Sequence, residues 1–288
     1  MFKNINVVIG TRCNNICSHC FYESLPDHGL EVDDDYLFSN LQLIIENYPI
    51  DNIVFNGGEP FLYIKKISKL LNKLSQKIKP IKIIVSTGAG EFNSLDKTHA
   101  LLNFCKIDEL WVSLDKYHLE ENDIENYLFL NDVVTKQNVN ISYSICYEEL
   151  KDFTDIILLI KKYKLKNDDI FKQQVIPFGR GREKEKKKII SDQIPLEYDC
   201  PEKDVITIWP ENNITTCSAY SSRCGLITKY SDARDLIKNI NKDHFFELRS
   251  KYNLKEISDR LRIRKKFNIL TPCLVCKEIL EVWRGNGI

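Results

Sequence analysis

Six times between residues 5 and 176 a short apolar run recurs, and each of the first five is followed by a stretch with helical periodicity. Ile-Asn-Val-Val-Ile at 5–9 reads as a short buried strand. Leu37, Phe38, Leu41, Ile44, Ile45 and Tyr48 then share one helical face, behind acidic residues at 33–35 that suit a helix start. A strand at 52–55 precedes Ile64, Ile67, Leu70, Leu71, Leu74 and Ile78 at helical spacing, with lysines opposite and Pro80 as a stop. Strands at 81–86, 109–114, 139–145 and 170–176 interleave with helices at 95–105, 120–136 and 149–163, and no helix is marked after the sixth strand. Repeated strand–helix units imply a parallel sheet with helices outside it. Right-handed crossovers curl six such units toward a barrel. The expected fold is α/β, a partial (β/α)6 TIM-like barrel over residues 1–180.

The pattern changes near Gly179. Arg180 to Lys188 is charged and poor in apolar residues, and its mixed signs read as a solvated linker, taken as residues 181–195. Beyond it a strand pair at 205–209 and 214–216 and helical stretches at 232–248 and 254–265 suggest a small α+β domain over 196–288.

The chain has 288 residues, with 41 basic and 41 acidic side chains and ten cysteines. Zero net charge argues against a protein that grips nucleic acid through its phosphates. No apolar run approaches the roughly 20 residues of a membrane span, and the first ten residues lack the apolar stretch of a signal peptide. The chain therefore reads as soluble and cytoplasmic, with neither nucleic acid nor membrane as a partner. In a reducing compartment its cysteines read as metal ligands or reactive thiols rather than disulfides.

Three of them form Cys13-Asn-Asn-Ile-Cys17-Ser-His-Cys20, directly after the first strand. Barrel enzymes keep their active sites at that end of the strands. Three thiolates in one tight loop can hold three irons of a [4Fe–4S] cube and leave the fourth iron open. The alternative is zinc, but a closed zinc site wants four ligands, and the loop offers three thiols with only the adjacent His19 as a fourth.

This C-x3-C-x2-C spacing resembles that of the radical S-adenosylmethionine (SAM) superfamily, and further motifs follow in that family's order. Gly57-Gly58-Glu59-Pro60 ends the second strand, like the family's motif for the amino end of SAM. Two glycines allow close backbone approach, and a carboxylate can pair with an ammonium. Ser86-Thr87-Gly88 ends the third strand where relatives often carry Thr-Asn-Gly, so the asparagine is missing here. Ser113 and Asp115 end the fourth strand and resemble a Ser-x-Asp motif facing the SAM ribose or carboxylate, and Phe21 and Tyr22 stand where an aromatic touches adenine. The resemblance implies SAM and a [4Fe–4S] cluster as cofactors, with a reductant such as flavodoxin or ferredoxin as partner. It implies reductive cleavage of SAM to a 5′-deoxyadenosyl radical that abstracts hydrogen from a substrate C–H bond.

A second set comprises Cys200, Cys217 and Cys273-Leu-Val-Cys276. It resembles the cysteine arrangement of the Twitch extension, the shorter relative of the SPASM domain, which implies one auxiliary iron–sulfur cluster, expected as [4Fe–4S]. Pro210-Glu-Asn-Asn stands where relatives have Pro-Asp-Gly at a hairpin turn, and asparagine tolerates the left-handed backbone required there. Gly179-Arg-Gly-Arg182 resembles the join before such extensions. A four-cysteine zinc ribbon is the alternative.

Other residues carry weaker signals. Cys224 has no place in the cluster pattern; it reads as a hydrogen-atom donor to a substrate radical, as in the family's peptide epimerases, as a ligand replacing Cys200, or as a small buried hydrophobe. Cys146 ends the fifth strand, where it packs or faces the cavity, and Cys105 lies on a helix's apolar face. His118 and Glu211 are candidate catalytic groups, His118 toward substrate or SAM and Glu211 as a base in the hairpin. Family resemblance favours a ribosomally synthesised peptide as substrate, with epimerisation or thioether or carbon–carbon crosslinking as the outcome. A small molecule such as a sugar or cofactor precursor is the alternative, and a zinc-binding or redox-sensing protein the alternative from another class. The catalytic strand begins by residue 5, so the expectation is that a separate peptide-recognition protein recruits the peptide, or that the active site binds it directly, or that the substrate is small.

Overall fold

Six parallel strands follow one another in chain order: β1 (Asn4–Gly10), β2 (Asn52–Gly57), β3 (Lys82–Thr87), β4 (Glu109–Ser113), β5 (Asn140–Tyr147) and β6 (Asp169–Gln174). The computed structural model describes residues 1–75, 80–176, 178–186, 200, 202–218, 225–262 and 272–285. Each strand pairs with its predecessor, so Ile53 lies opposite Ile5, Ile83 opposite Ile53 and Val85 opposite Phe55. Between them run α1 (Asp34–Asn47), α2 (Ile64–Leu74), α3 (Leu95–Leu102), α4 (Lys116–Leu119), α5 (Ile124–Gln137) and α6 (Leu150–Tyr163). The expected strands and helices of the first half are thus present, and the α/β class holds.

Local chemistry sets the helix ends. Asp33 caps α1 by accepting from Tyr36 N at 2.8 Å, satisfying one of the donors a helix start leaves open. Asn138 and Lys164 end α5 and α6 in left-handed conformations at φ 56° and 52°. The expected helix at 120–136 is α5, and a short helix stands before it. Asp115 caps the short α4 by accepting from Tyr117 N and His118 N, and α5 starts separately. After β6 the chain makes a 3-10 helix at Gly179–Lys186 in place of a sixth α-helix.

The sheet does not stop at β6. Strand β7 (Val205–Trp209) returns to pair in parallel with β1, and β8 (Asn213–Thr215) pairs antiparallel with β7. The order is β6-β5-β4-β3-β2-β1-β7-β8, an open sheet with β6 and β8 at its edges. The left-handed turn between β7 and β8 falls on Asn212 at φ 54°, as the asparagine there requires.

Hydrophobic packing divides the chain differently from its strands. The main core runs from Phe2 and Ile5 through β7 and β8 to α7 (Ala233–Asn239) and Ile240. A second core gathers Cys217, Ile227, Phe245 of α8 (His244–Lys251), Leu254 and Ile257 of α9 (Leu254–Arg260), and Val275, Cys276, Ile279 and Leu280 of α10 (Pro272–Gly285). The expected division at 181–195 is therefore not a break in the sheet, since residues 205–215 extend it; residues 187–199 lie outside the described ones. Helix α10 had no counterpart in the sequence reading. No helix among the described residues is long and apolar enough to cross a membrane.

Candidate active site and a second cysteine cluster

The cysteine loop leaves β1 and is tied down from three sides. Thr11 N donates to Leu30 O at 2.9 Å and Cys13 N to Leu25 O at 3.2 Å. Next to it, Gly58 N donates to Gly10 O at 2.9 Å and Glu59 N to Arg12 O at 2.7 Å, stapling the loop to the end of β2. From the far end of the sheet, Arg180 donates from its backbone to Cys20 O at 3.1 Å and from its side chain to Cys17 O at 2.9 Å and Ser24 O at 2.7 Å. Gly179, at φ +57°, makes this approach possible: a Cβ there would stand 2.4 Å from Cys20 O. The start of the expected linker is thus built onto the cysteine loop.

The glycines of the second motif are required by close approach. Gly57 has φ +134° and a Cβ on it would lie 2.2 Å from Gly10 O; on Gly58 it would lie 2.0 Å from Arg12 O. Glu59 departs from expectation. Its carboxylate, 1% exposed, accepts from Phe61 N at 3.1 Å, Thr87 Oγ1 at 2.9 Å and Gly88 N at 3.0 Å. Burial pushes its pKa up to about 7 against those bonds, which lower it. The side chain caps the 3-10 turn that Pro60 begins and joins β2 to β3 instead of lining the cavity, and Pro60 is buried with it. After Thr87 and Gly88, Ala89 takes φ +65°, and Asn122 and Asn126 donate to the Gly88 and Ala89 carbonyls at 2.8 and 3.1 Å.

Asp115 also turns inward. It is fully buried, holds His118 Nδ1 at 2.9 Å and accepts from Cys146 N at 3.3 Å, with His19 Nε2 at 3.8 Å. Burial works against its charge, but the His118 charge and hydrogen bond, with His19, outweigh it and hold the carboxyl below its usual range. Burial likewise opposes the His118 charge, yet Asp115 and a hydrogen bond with the Cys17 thiol raise its pKa well above the ordinary value. His118 therefore bridges β4 and the cysteine loop. His19 stacks on Tyr117 with ring centroids 4.3 Å apart.

A cavity of about 250 Å³ opens where these parts meet. Cys13, Cys17, Cys20, Phe21, Tyr22, Gly57, Gly58, Thr87, Ser113 and His118 line it. So do Asn15, Asn56, Ser144 and Gln173, which carried no sequence signal, and Cys146, whose cavity-facing alternative is the one realised. Strand alternation is the clue that was available: Ser144 and Cys146 share one face of β5. Cys105, half-buried on the main core with its thiol pushed up to about 11 by burial, is a packing residue. Glu211 is exposed at the β7–β8 turn, away from the cavity lining. Cys224 lies outside the described residues. Burial first, then Glu59 and the neighbouring cysteines, push the Cys13 thiol far up. Three thiols in one loop suit a metal, whose binding would drive off their protons.

The four C-terminal cysteines are brought together. Cys217 lies within electrostatic range of Cys200 and Cys276, and Cys273 within range of all three, with burial the main cause of their raised pKa values. Cys273 and Cys276 stand three apart in the first turn of α10, hence on one face. This is a helical pair, unlike the knuckles expected of a zinc ribbon. Arg249 of α8, 1% exposed, points Nη1 at Cys200 Sγ from 4.0 Å. A set of four cysteines within electrostatic range of one another fits a four-thiolate metal centre.

Comparison with known proteins follows the same outline. The family model described as Radical SAM superfamily matches residues 7–166. YydG of Bacillus subtilis (strain 168), named for peptide biosynthesis, is 24% identical over 221 residues, 71% of this chain and 66% of its own length. A protein of Methanocaldococcus jannaschii named as a glycyl-radical enzyme activating enzyme is 26% identical over 144 residues, 49% of each chain. The chain thus spans 66% and 49% of these curated relatives. Among solved structures, Streptococcus suis SuiB bound to S-adenosylmethionine shares the fold at TM-score 0.57 and 17% identity, covering 87% of this chain and 66% of that one. BtrN in complex with AdoMet and 2-DOIA shares it at TM-score 0.52 and 14% identity, covering 90% of both. The match to the family's model takes in more than half of the sequence, with the cysteine loop and the ends of β1 to β5, and the chain belongs to the radical SAM superfamily.

Proposed function

We propose that the chain holds a [4Fe–4S] cluster on Cys13, Cys17 and Cys20, binds SAM beside it, and abstracts hydrogen from a C–H bond of a ribosomally synthesised peptide. The observation that carries this reading is the sharing of one cavity by the three thiols, Gly57, Gly58, Thr87 and Ser113 at the C-terminal ends of the strands. When bound, the cluster and SAM supply one-electron cleavage of the sulfonium, giving methionine and the 5′-deoxyadenosyl radical that takes the substrate hydrogen. The chain's own groups position and enclose. The bare backbone at Gly57 and Gly58 receives the amino end of SAM, because Glu59 is engaged by Phe61, Thr87 and Gly88. Ser113 faces the ribose or carboxylate, and Phe21 and Tyr22 wall the adenine. Asp115 acts at one remove, by holding His118 against Cys17. A flavodoxin or ferredoxin supplies the electron.

The peptide substrate rests on the likeness to YydG, whose name refers to peptide biosynthesis. The fold itself is shared by SuiB bound to its precursor peptide SuiA and by BtrN with 2-DOIA, so the fold serves either substrate class. A small molecule is the second reading. The deciding experiment incubates anaerobically reconstituted protein with SAM, a reductant and candidate peptides in deuterated water. Deuterium gain without crosslinking marks epimerisation, and loss of two hydrogens marks a crosslink. 5′-Deoxyadenosine formation that every peptide leaves unstimulated, and a small alcohol stimulates, would favour the second reading. Zinc without iron after reconstitution would remove the proposal altogether.

A further inference from the structure

Arg249 is a buried cation with no carboxylate in contact with it among the described residues. It sits on α8 with 1% of its surface exposed. One guanidinium nitrogen donates to the Thr216 carbonyl and another points at Cys200 Sγ from 4.0 Å. The group lies 6.0 Å over the Phe246 ring, and its Nε has no hydrogen-bond partner among the described residues. Guanidinium stays charged in any protein environment, and an uncompensated buried charge is strongly unfavourable.

The anions in electrostatic range are the thiols of Cys200, Cys217 and Cys276, and the Glu202 carboxylate. Glu202 is taken up by Ser218, accepting from its backbone N at 2.9 Å and its hydroxyl at 2.5 Å. A metal on the four sulfurs would bind them as thiolates, and a [4Fe–4S] cluster on four cysteines carries a net negative charge that grows on reduction. The cation is thus placed where a metal-bound set of thiolates would balance it.

We propose that Arg249 is the fixed counter-charge of an auxiliary cluster on Cys200, Cys217, Cys273 and Cys276, and that it sets that cluster's reduction potential. The inference rests on reading those four cysteines as cluster ligands. Cluster potentials respond to net charge, hydrogen bonds to sulfur and burial. A cation beside one sulfur stabilises the more negative, reduced form, so it holds the potential up. Arg249 is a positioning and tuning residue and touches no substrate in this scheme.

The test uses the full chain with Cys13, Cys17 and Cys20 replaced by alanine, so that only the C-terminal iron reports. Redox titration followed by electron paramagnetic resonance compares this parent with Arg249→Gln and Arg249→Lys. The expected result is a midpoint shifted to more negative potential in Arg249→Gln and returned toward the parent in Arg249→Lys. An unchanged midpoint in an iron-loaded Arg249→Gln overturns the inference. If Arg249→Gln cannot hold iron, Arg249→Lys decides: retained iron with a midpoint near the parent's supports a charge role, and lost iron overturns it in favour of packing alone. Zinc, or no iron, in the parent overturns instead the cluster reading on which the inference rests, whatever Arg249 does.

Discussion

At Gly58 the backbone of one motif touches the backbone of the other, and no side-chain rearrangement can make room: a Cβ would stand 2.0 Å from the Arg12 carbonyl. Gly58→Ala must therefore move the cysteine loop or β2. It should cost about 1–3 kcal/mol in denaturant unfolding and weaken SAM binding in equilibrium dialysis. Gly225→Ala is the control: nothing lies within 4 Å of its Cβ, so only the φ of +70° is penalised, about 1–2 kcal/mol, with SAM binding intact. Glu59 gives a pH signature. Its folded pKa is raised to about 7 from 4.5, so the folded state keeps a proton that the unfolded state loses. Stability from this group is highest below pH 4.5, falls as pH rises toward 7 and is flat above, by about 3 kcal/mol at roughly 1.4 kcal/mol per unit. Glu59→Gln should lose that slope. A difference between wild type and Glu59→Gln that does not vary between pH 4.5 and 7 would count against the buried, protonated carboxyl. These residues also mark the limit of sequence reading. The glycines were legible because motif spacing fixed them. The inward turn of Glu59 was not, because two of its partners, Thr87 and Gly88, belong to the next strand. The direction of Asp115 was not legible for a related reason: the groups that hold it are the α4 backbone, His118 and Cys146 N, and residue type alone does not give that direction.

At the scale of elements, the stretch that began as a charged linker proves to start with a clamp. Arg180 reaches two carbonyls of the cysteine loop with its side chain and a third with its backbone N–H. Charge content alone could not separate Arg180 from the lysines that follow, since the distinction lies in the turn at Gly179. Arg180→Ala leaves the Cys17 and Ser24 carbonyls without those donors, at about 1–3 kcal/mol per buried group. It should lower iron retained on the first loop while leaving the C-terminal set loaded. Helix α10 makes the complementary case. Its two cysteines sit where helical N–H groups favour negative charge, and a C-x2-C on a helix was invisible beside the ribbon reading the same spacing permits. Cys276→Ala should take reconstituted iron from about eight to about four per chain with the SAM-dependent signal of the first cluster preserved. Loss of both clusters together would mean that the two sets do not load independently.

At the scale of the whole molecule, two hydrophobic cores of unequal size share one chain. The large one spans β1 to β8 and the helices from α1 to α7, and the alternation of strands and helices made it legible almost throughout. The small one was not legible as a packing unit, because it is assembled from α8, α9 and α10 around Cys217 and Cys276. A core that small buries too little surface to be secure alone and is ordinarily stapled by metal or disulfide. No disulfide joins its cysteines among the described residues, and Arg249 is buried with a guanidinium nitrogen 4.0 Å from Cys200 Sγ. Metal removal should therefore be felt unequally. Chelation of the reconstituted protein leaves the main sheet its apolar packing and its ladder hydrogen bonds, while the small core loses its staple and keeps an uncompensated guanidinium. Regions open with their own free energies when few contacts hold them. In hydrogen–deuterium exchange, residues 244–260 and 272–285 should lose protection on chelation while β2 to β5 keep theirs. Equal loss across β2 to β5 would show that the two cores are held as one cooperative unit, and unchanged protection in α8 and α10 would show that the small core stands on its packing without a metal.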